Sequence, residues 1–130
     1  MTTYLWRGPF ENAEVSALHA EGFNHGMVMS DWWGQVNRHS LGWVIARQEE
    51  EVVGFVNVAW DGDAHAFILD TLVTFSVRHL GVGTGLVAVA TDKARAAGCE
   101  WLHVDFDENL QAFYFQSCGF RPTKAGLIAL

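Results

Sequence analysis

VRHLGVGTGL, residues 77–86, decides how this chain folds, because it places Gly81 and Gly83 between a β-rich run and an apolar helix. Glycine tolerates positive φ angles and has no Cβ, so a ligand can approach the backbone at Gly81 and Gly83. Consecutive N–H groups at the start of a helix bind anions, and the helix dipole favours negative charge. We therefore predict a phosphate or pyrophosphate site with Arg78 beside it. Its contacting residues are His79, Leu80, Gly81, Val82, Gly83 and Thr84, with His79 contributing its backbone.

Two common phosphate-binding motifs do not fit this segment. A Walker loop needs Gly, four spacers, Gly, Lys and Ser or Thr, and no lysine precedes Lys93. The dinucleotide fingerprint needs a third glycine where Leu86 stands, and it opens an early strand-turn-helix unit. Here the segment follows two other predicted strands, which disfavours a Rossmann domain.

The residues around the segment alternate β-rich runs with turns. Two turn signals separate three runs and predict two antiparallel hairpins over residues 41–47, 52–60 and 64–75. Thr84 is the predicted N-cap of a helix that reaches Ala97, and Gly98 ends it. A strand at 101–106 then follows a crossover helix, which predicts one parallel pair.

The two ends of the chain complete the predicted fold. The N-terminal part reads as a strand at 4–7, a helix at 12–21 and a short helix with loops within 22–40. After a helix from Asp107 or Glu108 to about Ser117, residues 119–121 and 127–130 are predicted strands. The fold class is α/β, a single mixed, mostly antiparallel sheet flanked by helices, with residues 1–130 as one domain.

Arg78, Gly81 and Gly83, placed after the hydrophobic strand Phe67–Val73, resemble the acetyl-coenzyme A loop of the GNAT superfamily of N-acetyltransferases. Further sequence features of that family occur in the expected order. They are Leu72-Val73 before Arg78, and Asn109, Phe113-Tyr114 and Gly119-Phe120 after it. The resemblance covers roughly Leu41 to the C-terminus. It implies a GNAT-like acyl-CoA N-acyltransferase fold and direct transfer of the acetyl group of acetyl-CoA to a primary amine of a small molecule or peptide.

The resemblance also implies roles for the residues that would hold acetyl-CoA. Leu72 and Val73 would pair with the amides of the pantetheine arm. The free N–H of Val73 would face the thioester carbonyl as the oxyanion donor. Asn109 would contact the cofactor arm, with helix capping as the alternative.

The proton donor departs from the family pattern. Relatives place a tyrosine four residues before the glycine of Gly119-Phe120, and that position is Phe115, whereas Tyr114 lies five before. One residue turns a regular helix by roughly 100°, so a bulge or extra loop residue is needed to restore the hydroxyl. The segment 110–122 also resembles the Phe-Tyr pair of the arylalkylamine branch with one residue inserted. We predict Tyr114 as the donor, against the alternative of a buried aromatic side chain.

The residues that would bind or deprotonate the acceptor amine are indicated by less specific sequence signals. Asp70, in the strand before the glycine segment, is predicted to be the base or a substrate anchor, because an isolated buried carboxylate is costly. Weaker candidates for the base are His65, Asp105, Glu108 and a water chain. Asp31, Trp32 and Trp33 are predicted to receive a cationic or aromatic amine, with core packing as the alternative for a tryptophan.

The composition argues against several classes of protein. The net charge of −7 without a basic run argues against a nucleic-acid partner. No apolar run approaches the roughly 18 residues of a membrane span, and no signal peptide is evident. Two isolated cysteines indicate a reduced, cytoplasmic protein without a disulfide framework. The six histidines show no metal-ligand spacing, so no metal is predicted.

Two other classes of function stay open. A non-catalytic acyl-CoA sensor would keep the glycine segment and lack the donor, which the position of Tyr114 allows. A plain interaction domain would bind no cofactor. The sequence does not identify the amine acceptor or the oligomeric state, for which a homodimer is one option.

Overall fold

A five-stranded sheet in the order β1-β2-β3-β4-β5 organises the computed structural model, which describes residues 1–130. The strands are β1 (Thr2–Trp6), β2 (Ser40–Gln48), β3 (Glu51–Trp60), β4 (His65–Val73) and β5 (Trp101–His103). The helices are α1 (Asn12–Gly22), α2 (Trp32–His39), α3 (Val82–Ala96) and α4 (Ala112–Ser117), the last of π type. Short 3₁₀ turns occupy Phe75–Val77 and Glu108–Leu110. Neighbouring strands are antiparallel except β4 and β5, which are parallel, so the predicted mixed sheet flanked by helices is confirmed.

Helices cover both faces of the sheet, which explains why β2 and β3 are apolar almost throughout. On one face α3 packs on Val44, Val56 and neighbouring residues, and on the other α1 and α2 pack on Trp43 and Phe55. Full burial of Leu86, on α3, stabilises the fold by about 1.5–3 kcal/mol. A Cβ at Gly85 would overlap the Tyr4 ring, so this glycine lets α3 lie close to β1.

Three predicted boundaries are wrong. Helix α3 begins at Val82 with Gly81 as its N-cap, so Thr84 lies in the first turn and does not cap it. Strand β5 ends at His103 rather than at 106, because only Trp101–His103 pairs with β4. Residues 119–121 and 127–130 form no strand, since β5 is too short to offer them a paired edge.

A β-bulge in β4 sets the geometry of its last residues. Leu69 pairs with Asn57 and Leu72 with Phe55, so Asp70 and Thr71 together oppose a single residue of β3. Asp70 takes a left-handed conformation with a φ of 54°. The bulge therefore shifts the alternation of side chains just before the C-terminal end of β4.

The C-terminal half of β4 has an open edge. Strand β5 pairs only with His65–Phe67, which leaves residues 68–73 without a neighbour on that side. Thr74 N–H donates to Val53 O at 3.0 Å, and bonded and non-bonded pairs alternate along antiparallel strands. The N–H and C=O of Val73 consequently point away from β3, toward the open edge.

Candidate active site

The start of α3 presents a set of unused backbone donors. Gly81 caps the helix with a φ of 85°, and its carbonyl accepts the first helical hydrogen bond, from Gly85 N–H at 3.0 Å. The N–H groups of residues 81–84 donate to no other residue of the chain, as the first N–H groups of a helix commonly do. A Cβ at Gly81 would meet nothing within 4 Å. The site therefore has both the donors and the space for an anionic group.

Gly83 has a packing role in addition to its predicted contact with the anion. A Cβ at this position would lie 3.1 Å from the Phe113 ring and 3.7 Å from Val73 Cγ2. The absence of a side chain lets α4 close against the start of α3 at the end of β4. Gly83 therefore permits close packing, whereas the space around Gly81 is open.

Arg78 lies between the open edge of β4 and the start of α3. Its Nε donates to Val73 O at 3.3 Å, and its guanidinium carbon lies 3.9 Å from the centre of the Phe75 ring. The side chain is exposed and has no carboxylate partner, so its remaining N–H groups are available. His79 and Leu80 are exposed next to it, and His79 has a φ of 65°.

Tyr114 is the buried residue of α4, at 6% exposure. Its ring stacks on Phe106 at 4.6 Å and meets Phe113 and Phe120 edge to face. A π-type turn contains an extra residue. An extra residue of this kind is what the one-residue shift of Tyr114 from the family position was predicted to need. Phe115, by contrast, lies at a separate cavity beside β5.

The Tyr114 hydroxyl faces Thr71 of β4. Burial raises the pKa of Tyr114, and the Thr71 side chain opposes that rise. The Thr71 hydroxyl is itself buried and has no partner that satisfies hydrogen-bond distance and angle limits. The Tyr114 hydroxyl is the polar group beside it at the end of β4.

Asp70 is half-buried on the bulge. Burial raises the pKa of its carboxyl group, and the charge of His19 on α1 opposes the rise. The side chain forms no salt bridge. An unpaired, partly desolvated carboxylate close to the end of β4 is suited to attracting an ammonium group.

The predicted acceptor residues have different surroundings. Asp31 caps α2 by accepting from Gly34 N–H at 3.0 Å, and it also accepts from Asn12 at 3.1 Å, hydrogen bonds that lower its pKa. Trp33 is 40% exposed and packs on Phe10 and Trp43. These contacts give both side chains local structural roles.

Trp32 is buried at 8% exposure, and its Nε1 has no hydrogen-bond partner. It borders a cavity of about 490 Å³ together with His19 and His25, under the loop between α1 and α2. Neither histidine belongs to a sequence motif, because their contact joins a helix to an irregular loop. Asn109 is exposed within the turn Glu108–Leu110 and caps no helix.

The cysteines and the possible metal ligands would be alternative sources of reactivity. Burial raises the pKa of Cys118 to about 11 and also raises that of Cys99, which makes both thiols poor nucleophiles. No three His, Cys, Asp or Glu side chains come together as a metal site. None of the helices has both the length and the apolar character to cross a bilayer.

Comparison with known proteins gives one family match. Residues 4–120 match the family model described as Acetyltransferase (GNAT) family. No curated protein has a significantly similar sequence.

Solved structures share the fold at low sequence identity. A GNAT family acetyltransferase from Streptococcus pneumoniae aligns with a TM-score of 0.80 and 21% identity, covering 100% of this chain and 98% of that chain. Glucosamine-6-phosphate N-acetyltransferase from Arabidopsis thaliana gives 0.77 and 14%, with 98% of each chain covered. AAC(6')-Iy, solved with the bisubstrate analogue CoA-S-monomethyl-acetylneamine, gives 0.74 and 15%, covering 100% of this chain and 97% of that chain.

Proposed function

The chain belongs to the acetyltransferase (GNAT) family, and we propose that it transfers the acetyl group of acetyl-CoA directly to a primary amine of a small molecule or peptide. One observation carries the proposal: the four free N–H groups of residues 81–84 lie beside the open edge of β4, where the Val73 N–H points outward. The proposed diphosphate donors and the proposed oxyanion donor therefore face the same open edge of the sheet, along which the pantetheine arm would run.

The residues present fit acetyl-CoA. The N–H groups at the start of α3 and the Arg78 guanidinium would hold the diphosphate. The backbone of Leu72 and Val73 would pair with the pantetheine arm along the open edge, and Asn109 would contact that arm. When bound, acetyl-CoA supplies an activated acetyl thioester.

Three groups of this chain would then act on the reaction. The Val73 N–H stabilises the negative charge that develops on the carbonyl oxygen. Tyr114 gives its proton to the departing sulfur, and its raised pKa keeps that proton in place at neutral pH. Asp70 attracts the ammonium group of the acceptor and either takes its proton or assists the group that does.

The direct test is release of free CoA from acetyl-CoA in the presence of a panel of primary amines. Amine-dependent release supports the enzyme. Binding of acetyl-CoA without release for any amine favours the acyl-CoA sensor. Binding itself is measured by the rise in melting temperature, which corresponds to about 2.7 kcal/mol at a hundredfold excess over Kd. No rise would remove both functions.

Replacement of Arg78 with alanine should weaken acetyl-CoA binding by about tenfold, because one charge-assisted contact with the diphosphate is lost. Calorimetry measures the effect. Arg95→Ala is the matched control, since Arg95 is exposed near the far end of α3 and pairs only with Asp92. Equal affinities for the Arg78 and Arg95 variants would exclude Arg78 from the cofactor site.

Replacement of Asp70 with asparagine should have opposite effects on activity and stability. We expect kcat/KM to fall by about 10- to 100-fold, because the acceptor loses its charged partner. Stability at pH 7 should rise. The raised pKa means that Asp70 costs stability as pH increases from its unfolded pKa, near 3.9, to its folded pKa, and asparagine removes that cost. Asparagine also tolerates the left-handed backbone.

Thermal unfolding at pH 7 and pH 4 measures this second effect. The gain in melting temperature of the Asp70→Asn variant should shrink at the lower pH, because the wild-type carboxyl, whose pKa is raised, is more protonated there than at pH 7. A less stable variant with unchanged activity would show that Asp70 is structural.

A further inference from the structure

The cavity of about 490 Å³ between α1 and α2 carries two imidazoles and an unsatisfied indole. Trp32 borders this cavity at 8% exposure, and its buried Nε1–H has no partner within the chain. A buried donor without an acceptor lowers stability unless a ligand or water completes it. His19 and His25 line the same cavity. The two imidazoles give the cavity wall polar groups that a polar molecule can contact.

The hydrogen bonds of the two histidines fix which ring nitrogens carry protons. A carbonyl oxygen only accepts, so His25 Nδ1–H donates to Gly26 O at 2.6 Å. In the neutral ring His25 Nε2 is then an acceptor, and His19 Nδ1–H, 2.9 Å away, donates to it. This leaves His19 Nε2 with a lone pair and no partner in the chain.

The end of α1 contacts the end of β4, next to the proposed site of acetyl transfer. Glu21 accepts a hydrogen bond from the Phe75 N–H, just beyond β4. A Cβ at Gly22 would lie 3.4 Å from Leu72 Cδ2, so α1 packs directly on β4 there. His19 lies one helical turn before Gly22, on the side of the sheet that also carries Leu72.

Asp70 places a carboxylate near His19. Asp70 on the β4 bulge interacts electrostatically with His19 across the α1–β4 contact. Glu21, two residues after His19 on α1, is engaged with Thr74 and Phe75. Because opposite charges attract, Asp70 would bring the acceptor ammonium close to His19.

We propose that His19, supported by its hydrogen bond to His25, is the base that deprotonates the acceptor amine. This inference rests on the proposed acetyltransferase function. One ammonium proton moves to His19 Nε2, and His25 shares the resulting positive charge across their hydrogen bond. The nitrogen–carbon bond forms, the carbon–sulfur bond breaks and the Tyr114 proton goes to sulfur. A second nitrogen proton restores Tyr114, and the histidine pair returns the first to water.

The test uses His19→Gln and a series of primary amines with different pKa values at one assay pH. For amines that are protonated at that pH, kcat/KM should fall by about 100-fold, the effect expected of a general base. For amines that are already neutral, the loss should be under about threefold. Equal losses for both groups would overturn the proposal, because a structural defect does not distinguish them.

His39→Gln is the matched control, since His39 is exposed at the end of α2 and forms no side-chain hydrogen bond. It should match wild type for every amine. Calorimetry with acetyl-CoA separates the two proposals, because His19→Gln should bind it as wild type does. If wild type neither binds acetyl-CoA nor acetylates an amine, the proposed function fails as well.

A second measurement does not depend on the variant folding. Nitrogen-15 NMR of the wild-type protein above the titration range of both rings reports which ring nitrogen carries the proton. We expect Nδ1–H in both His19 and His25. An Nε2–H tautomer of His19 would leave it without the free lone pair and overturn the proposal.

Discussion

Tyr114→Phe should lower kcat by about 100- to 1,000-fold while KM for both substrates stays within about twofold. The phenylalanine ring keeps the stacking on Phe106 and the burial of Tyr114, so only the hydroxyl is lost. Without it the sulfur leaves as an unprotonated thiolate, which slows the chemical step and not binding. Spectrophotometric detection of released CoA, with the variant saturated in both substrates, measures kcat.

The neighbouring residue supplies the control. Phe115 occupies the family position for the donor but lies at the cavity beside β5. The double variant Tyr114→Phe/Phe115→Tyr should therefore remain inactive. Recovery of activity in the double variant would place the functional hydroxyl at 115 and would contradict the geometry of α4.

The pH dependence has a defined direction. Because burial raises the pKa of Tyr114 above the usual value near 10, the donor keeps its proton through the mildly alkaline range. The kcat of wild type should therefore show no descending limb from Tyr114 below about pH 10. A descending limb that lies well below that pH and disappears in Tyr114→Phe would mean that the hydroxyl is not desolvated.

Gly81→Val should weaken acetyl-CoA binding by about 100-fold. The side chain would fill the open space in front of the free N–H groups, and the loss of about two charge-assisted hydrogen bonds amounts to roughly 3 kcal/mol. Calorimetry with acetyl-CoA and with acetyl-pantetheine, which lacks the diphosphate, localises the effect. Only the affinity for acetyl-CoA should fall.

Gly98→Val controls for backbone strain. Gly98 has a φ of 93°, lies just beyond the other end of α3 and also has nothing within 4 Å of its Cβ position. A side chain at either glycine costs about 1–2 kcal/mol of stability. The two variants should therefore melt at similarly reduced temperatures, and only Gly81→Val should lose affinity for acetyl-CoA. Equal affinities would place the diphosphate away from Gly81.

Much of the fold follows from local sequence signals. The hairpins of β2, β3 and β4 were predictable because apolar runs alternate with the charged segment 48–51 and with Asp61–Asp63. The parallel position of β5 followed from the helix between it and β4. The end of α3 was predictable because Gly98 tolerates the positive φ that stops a helix.

Features that depend on distant contacts were not predictable in the same way. Thr84 is a residue type that often caps helices. However, Gly81 ends the preceding turn with a positive φ and is the N-cap of α3. The final predicted strands required a partner edge that the three-residue β5 does not provide. Local propensity carries no information about either.

The candidate site also combines features that follow from local sequence with features that depend on distant contacts. The segment proposed to bind the diphosphate was suggested by Gly81, Gly83 and Arg78, because backbone donors need only local conformation. The orientation of Tyr114 depends on a π-type turn, whose extra residue the sequence suggests but does not place. The pairing of His19 with His25 depends on how an irregular loop folds back on α1.

A crystal structure of the protein with bound CoA tests the central claim most directly. We expect the diphosphate oxygens within hydrogen-bond distance of the N–H groups of residues 81–84, and the sulfur beside the Tyr114 hydroxyl. A diphosphate bound elsewhere, with those N–H groups still open to solvent, would contradict the proposed acetyl-CoA site.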